Sequence, residues 1–242
     1  MRGNNNFFSR LKEVLLGISF LCSSEFCYFG NIMMCSGKMS VVFLDLEGVL
    51  IPEIWEGLAE VTKIDELKLT TRDIADYDEL MRHRLKICNQ YNLTLKDIHK
   101  VVENIEPYDG APEFLKWLRE RNEVVILSDT FREFIKPLLY KLQYPTVLCH
   151  SLKLDGNSRI VDYCLRIKDH KRLAVKAFNE LNYHSIAVGD SYNDITMLNE
   201  ANQGILFRTT KKIAAEFPDL PVFNDYEDLR NTLVRIKSSG KN

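Results

Sequence analysis

Three acid-bearing segments each close an apolar run. Asp45-Leu46-Glu47-Gly48 follows residues 41–44, Leu127-Ser128-Asp129-Thr130 ends the run 124–127, and Gly189-Asp190-Ser191-Tyr192-Asn193-Asp194 follows 185–188. Short, continuous apolar runs read as strands buried on both faces, the pattern of a parallel sheet, and open parallel sheets bind ligands at the carboxyl ends of their strands. All three segments are therefore expected at one edge. Gly48 lets the chain turn sharply, so that Asp45 and Glu47 can reach one crevice although strand pleating would alternate them. Taken singly, each segment has a plainer reading: Ser128-Asp129-Thr130 and Asp194 both suit a helix start, and strand-terminal acids often form turns. Asp45, Glu47 and Asp190 together do not fit that reading, because clustered carboxylates resist ionisation unless a cation holds them charged. Oxygen ligands in that number suit Mg²⁺.

The elements that must hold these groups alternate along the chain. Further strand-like runs lie at 146–148 and 204–207, and helical patterns at 111–121, 131–142, 171–181, 194–200 and 211–217. The alternation predicts an α/β fold: a Rossmann-like parallel sheet flanked by helices. One hairpin is expected where Leu152 and Leu154 lead into Asp155-Gly156-Asn157 and the stretch 160–165 follows. The stretch between the first two strands is far longer than one crossover helix needs. It carries helical spacing at 53–61, 77–91 and 95–105, and Thr94 with Asp97 forms a helix-start box. A small helical cap over 53–106 is expected, inserted into a core of 39–52 and 107–242. The last helix is expected to start at Asn224, with Glu227 three positions on, and to run to about Ile236.

Of the 242 residues, 32 are Lys or Arg and 34 Asp or Glu, so no overall charge favours nucleic acid or a membrane surface, and an anionic substrate must be held locally. Six cysteines without metal-ligand spacing read as free thiols of a reducing compartment. Arg2, Arg10 and Lys12 precede an apolar run at 14–22 that resembles a targeting segment but is too short for stable membrane insertion. The plainer expectation for 1–38 is a poorly ordered extension, with the working protein starting at Met39 in the cytoplasm; organelle targeting or export would follow from a real targeting segment.

Asp45, Glu47, Ser128, a lysine near position 170 and the Asp190 loop occur in the order found in the haloacid dehalogenase superfamily, which this constellation resembles from residue 41 onward. The runs LDLEGVLIPEIW, TTRDIADYDELMRHRLKI, VVILSDTF, LCHSL and GDSYNDITML are similar to its bifunctional phosphoserine phosphatase and homoserine phosphotransferase branch. Glu at position 47, where most of the superfamily's phosphatases carry Asp, is shared with that branch. The resemblance implies that Asp45 attacks phosphorus to give an aspartyl phosphate, with Glu47 as general acid and then base. It implies Mg²⁺ on Asp45, the Glu47 backbone carbonyl and Asp190, and phosphoryl oxygens held by Ser128, the amides around Asp129 and a lysine. Lys171 is placed first because it opens the apolar-periodic helix, and Lys168 second. Asn193 would touch substrate and, with Asp194, orient the Asp190 loop. Glu53 would take the substrate's ammonium and Arg84 its carboxylate.

The expected small-molecule substrates are phosphoserine and, as an acceptor besides water, homoserine, in serine and threonine biosynthesis, with no nucleic-acid partner and a homodimer kept as an option. Two other readings compete: a phosphatase of broader specificity, acting for instance on sugar phosphates, and a phospho-acceptor module that does not turn over. His99, His150, His170 and His184 pair with no nucleophile or metal-spaced cysteine and read as surface or core residues. Trp55 and Trp117 read as packing on helix faces.

Overall fold

The computed structural model describes residues 26–29, 32–35, 39–70, 73–74 and 76–239. The chain divides into two compact units at the boundary between Lys38 and Met39. In the first, Phe26–Phe29 and Ile32–Cys35 pair as an antiparallel two-stranded sheet, while the targeting-like run at 14–22 lies outside the described residues.

The second unit is built on seven strands: β1 Ser40–Leu44, β2 Glu123–Phe131, β3 Val147–Leu154, β4 Ile160–Cys164, β5 His184–Gly189, β6 Gln203–Phe207 and β7 Val222–Phe223. Their order is β4-β3-β2-β1-β5-β6-β7, with every pair parallel except β3 and β4, which form the expected hairpin. Strand alternation divides the core into two layers. Val41, Phe43, Leu127 and Leu206 pack on one face with the helices α6 His170–Glu180, α7 Ile195–Glu200 and α8 Lys211–Glu216. Val42, Leu44, Ile126, Val188 and Phe207 pack on the other, where α4 Ala111–Arg119 and α9 Tyr226–Ser239 lie. Phe43, Leu44 and Phe207 are fully buried; each such side chain stabilises the fold by about 1.5–3 kcal/mol. β1 is central, so Asp45 leaves the sheet where both neighbours fix its height.

Between β1 and β2 the chain forms α1 Ile54–Thr62, a 3₁₀ turn at Asp65–Lys68, α2 Tyr77–Gln90 and α3 Leu95–Val102. The Asp76 side chain caps α2 by accepting from the Glu79 amide at 2.8 Å, and Thr94 and Asp97 close the box at the start of α3. The hairpin braces this helical segment. Tyr163 on β4 donates to Asp78 on α2, and the Leu95 amide donates to Ser158 O.

Two expected elements differ. The helical pattern at 131–142 forms a helix only over α5 Arg132–Ile135, because β2 runs on to Phe131 and Pro137 has no N–H to continue the ladder. The carbonyl that a residue-137 amide would have met, Glu133 O, instead accepts from His99 Nε2 at 2.7 Å. The cap of α9 is Asp225 rather than Asn224: its Oδ1 accepts from the Asp228 amide at 2.9 Å, one residue later than the sequence spacing suggests.

Candidate active site

Asp45 still belongs to the sheet ladder through its backbone, donating to Val188 O at 2.9 Å, while its carboxyl turns into a cavity beyond the strand ends. The next residues fold into a tight turn in which Leu50 N donates to Leu46 O. Tyr226 on α9 donates to Val49 O at 2.6 Å, fixing the turn from 177 positions further along the sequence. Gly48 sits at φ +77°, and a Cβ there would lie 2.4 Å from Asp190 Cγ. Only glycine satisfies both the backbone and the approach of the Asp190 carboxyl. Glu47 faces the start of α1, its Oε2 accepting from the Ile54 amide at 3.0 Å.

The Lys171 ammonium, 3% exposed, stands among three carboxylates: Asp194 at 2.8 Å, Asp45 at 3.0 Å and Asp129 at 3.1 Å. Burial works against that charge, but Asp129, Asp194 and Asp45 outweigh it and hold the lysine protonated well above its ordinary range. Asp194 is fully buried and committed on both oxygens, with Oδ1 on Lys171 and Oδ2 on the amides of Asp190 and Ser191. It both caps the 3₁₀ turn Tyr192–Asp194 and clamps the Asp190 loop. The β2 register breaks between Leu127 and Phe131, a bulge that re-aims Ser128, Asp129 and Thr130 at the same cavity. Burial alone would raise the Asp129 pKa, yet Lys171, the nearby His150 ring and hydrogen bonds from His170 and Asn193 hold it well below the usual carboxylate range.

A second set of charges lies in the same cavity of about 430 Å³. Arg84 is buried with its guanidinium 4.6 Å above the Trp55 ring, and Nη2 donates to Leu69 O at 2.8 Å. Its Nε has no hydrogen-bond partner, and among the described residues no carboxylate forms an ion pair with it. Glu53 is pushed up to about 9 by burial and by the Glu47 carboxylate, with which it shares a hydrogen bond. Arg84 feels Glu47 and Glu53, and Glu53 feels Glu47 and Asp190, whereas Lys171 feels Asp129, Asp194 and Asp45.

Asp45, Asp190 and Asp194 each bring a carboxylate oxygen to within 4.8 Å of the others. Without a cation, burial and then the Asp194 charge push the Asp45 pKa well up, against the opposing pull of Lys171. An all-oxygen donor set with unbalanced negative charge suits a divalent ion of the Mg²⁺ type, which would reverse that direction. The Gly48 cradle, open only because a Cβ is missing, leaves Asp190 room beside Asp45.

Of the residues expected from sequence, Asp45, Glu47, Glu53, Arg84, Ser128, Asp129, Lys171, Asp190 and Asn193 line this cavity. Lys168 does not; it lines a neighbouring cavity of about 810 Å³. Trp55 is more than packing, since it carries the Arg84 guanidinium on its ring. Trp117 packs against the core as read. His150 and His170 are buried, but beside Asp129 rather than in an inert core. Tyr77, Tyr108 and Arg208 also line the site, the last two outside every motif; Tyr77 donates to Asp129 O at 3.0 Å. Cys88 and Cys149 are buried free thiols pushed up to about 11 by burial, which makes them inert at neutral pH. Among the described residues no helix is long and apolar enough to cross a membrane.

Strand-end carboxylates, a buried lysine and a glycine-cradled acid loop on a mostly parallel sheet define a hydrolase of one family, and residues 39–202 match it: the chain belongs to the haloacid dehalogenase-like hydrolases. It is 54% identical over 200 residues to phosphoserine phosphatase ThrH of Pseudomonas aeruginosa, an alignment spanning 83% of this chain and 98% of that protein. Among solved structures, a phosphoserine phosphatase in apo form superposes with a TM-score of 0.66 at 20% identity, covering 80% of this chain and 98% of the other. A phospho-aspartyl intermediate analogue of phosphoserine phosphatase gives 0.64 at 22% identity, covering 81% and 99%. These two likenesses establish the fold.

Proposed function

We propose that the chain hydrolyses phosphoserine through an aspartyl phosphate on Asp45 and can pass the phosphoryl group to homoserine in place of water. The observation that carries this reading is the division of one cavity: a buried lysine beside Asp45 suits a phosphoryl group, while Arg84 and Glu53 suit the carboxylate and ammonium of an amino acid. The 54% identity to a protein named phosphoserine phosphatase ThrH supports it.

In this mechanism an Asp45 oxygen attacks phosphorus and the bond to the serine oxygen breaks, with Glu47 giving that oxygen its proton. Glu47 then takes a proton from the acceptor hydroxyl, which attacks the aspartyl phosphate and frees Asp45. Lys171, Ser128 and the amides around Asp129 hold the phosphoryl oxygens as charge develops. Mg²⁺, held by Asp45, the Glu47 carbonyl and Asp190, would supply neutralisation of the two anions that must meet. Asn193 touches substrate, Arg84 and Glu53 fix the amino-acid end, and the helical segment 53–106 serves as a cap that excludes water. The setting is cytoplasmic serine and threonine biosynthesis, with a homodimer as the assembly to test.

Incubation with phosphoserine and homoserine together, with product separation, tests both halves. Phosphohomoserine beside serine is expected. Free phosphate as sole phosphorus product removes the transferase half, and faster turnover of a sugar phosphate than of phosphoserine overturns the amino-acid reading.

A further inference from the structure

Two buried histidines stand behind the site with no role in the chemistry above. His150 on β3 and His170 at the start of α6 are 3% and 5% exposed, and their rings meet edge to face at 4.4 Å. Both turn Nε2 toward the same atom, Asp129 Oδ1, at 3.6 Å from His150 and 3.1 Å from His170. The other oxygen, Oδ2, accepts from Asn193 Nδ2 at 2.8 Å and faces Lys171 Nζ at 3.1 Å. Asp129 is thus held on one side by histidines and on the other by two groups of the cavity.

Spacing alone would let His150, His170 and Asp129 share a cation. Two observations exclude that use. The Arg166 amide donates to His150 Nδ1 at 3.2 Å, so a neutral His150 carries its proton on Nε2 and is a donor there, not a ligand. The Lys171 ammonium on the same carboxylate would also repel a cation.

We infer that His150 and His170 are positioning residues for phosphoryl transfer: by fixing Asp129 Oδ1 they aim Oδ2 at Lys171 and hold that ammonium where it meets the transferring group. Lys171 is anchored by Asp194 on one side, and without the Asp129 clamp it would relax toward Asp45 and Asp194, away from the incoming oxygens. The loss should fall on turnover rather than on substrate binding, because phosphoryl charge is spread over its oxygens in the transition state. This rests on the reading of Lys171 as a phosphoryl ligand.

The test is a double-mutant cycle at His170 and Asp129, with phosphoserine and p-nitrophenyl phosphate as substrates and thermal melting as the check on folding. The amide of His170→Gln stands near Nε2, whereas that of His170→Asn stands near Nδ1. The Gln variant should stay within about 3-fold of the parent kcat and the Asn variant should fall about 10-fold, with KM for each within about 3-fold. In an Asp129→Asn background the His170→Asn change should cost less than about 2-fold, since the group it acts through is already altered. Losses that multiply across the cycle, or equal losses for Gln and Asn, would overturn the inference. Should the Asn variant not fold, the same cycle run with His150→Gln and His150→Asn decides it by the same criteria. Asp45→Asn separates the two levels: full turnover there sinks the catalytic reading itself, whereas a dead Asp45→Asn with a multiplicative cycle sinks only the clamp.

Discussion

The two parts of the cavity are built on opposite principles. Around Lys171 the ammonium is fully met within the protein, with three carboxylates at 2.8 to 3.1 Å and Asp194 further tied to two amides, and the surplus negative charge is left to a cation. Around Arg84 the charges are incomplete: a guanidinium on an indole ring with no ion-paired carboxylate among the described residues, and a Glu53 that burial and then the Glu47 charge keep protonated. The first part is preset before any ligand arrives, which suits stabilisation of a transition state. The second is completed only by a ligand that brings both a carboxylate and an ammonium, which suits selection.

The comparison breaks most severely at Asp45. Asp45→Asn should lower turnover of phosphoserine by on the order of 10³-fold or more, with a melting temperature no lower than the parent's, because the removed charge is one that burial and Asp194 already disfavour. Single-turnover phosphate release beside a melting curve reads both. Lys171→Met should remove activity and also cost about 3–5 kcal/mol in urea unfolding, since it strands carboxylates that are almost dry; an unchanged midpoint would show that the ammonium does not hold them. Arg84→Ala should raise KM for phosphoserine by about 10–100-fold while leaving phosphoethanolamine, which lacks the carboxylate, within about 3-fold. Equal losses on both substrates would refute the clamp.

The smallest effect is one of pH. Glu53 moves from an ordinary 4.5 to about 9 in the folded chain, so across that interval the folded state holds a proton the unfolded state has lost. Stability of the metal- and ligand-free protein should therefore fall as pH rises from about 4.5 to 9. Glu53→Gln should flatten that slope and melt higher at pH 8.5, by about 2–4 °C for each kcal/mol relieved. A slope that survives the substitution assigns it to another group.

Much of the first part was legible because its residues close strands: an apolar run followed by an acid marks both the element and the edge at which the acid stands. Lys171 and Lys168 could not be separated by type, and only the helix start at His170 turns one inward and leaves the other at a different cavity. The two histidines were missed for a related reason. They meet Asp129 across 21 and 41 residues of chain, and no local spacing encodes a contact made by the β2 bulge and the start of α6 together. The helix misread at 131–142 carried its own warning in Pro137, which apolar periodicity outweighed. Arg84 shows the limit of residue type most clearly. On an amphipathic helix with Arg82 and His83 it looks like a solvated face, yet Arg82 is solvated and pairs with Asp78 while Arg84 is buried.

The hydroxyl of Tyr226 reaches across 177 positions of sequence to the carbonyl of Val49. A growing chain presents its nucleophile well before this fastening can form, so the turn behind Asp45 stays unlatched until Tyr226 has been made. Cleavage ahead of Tyr226 would leave every reacting group in place on a loop that had lost its latch.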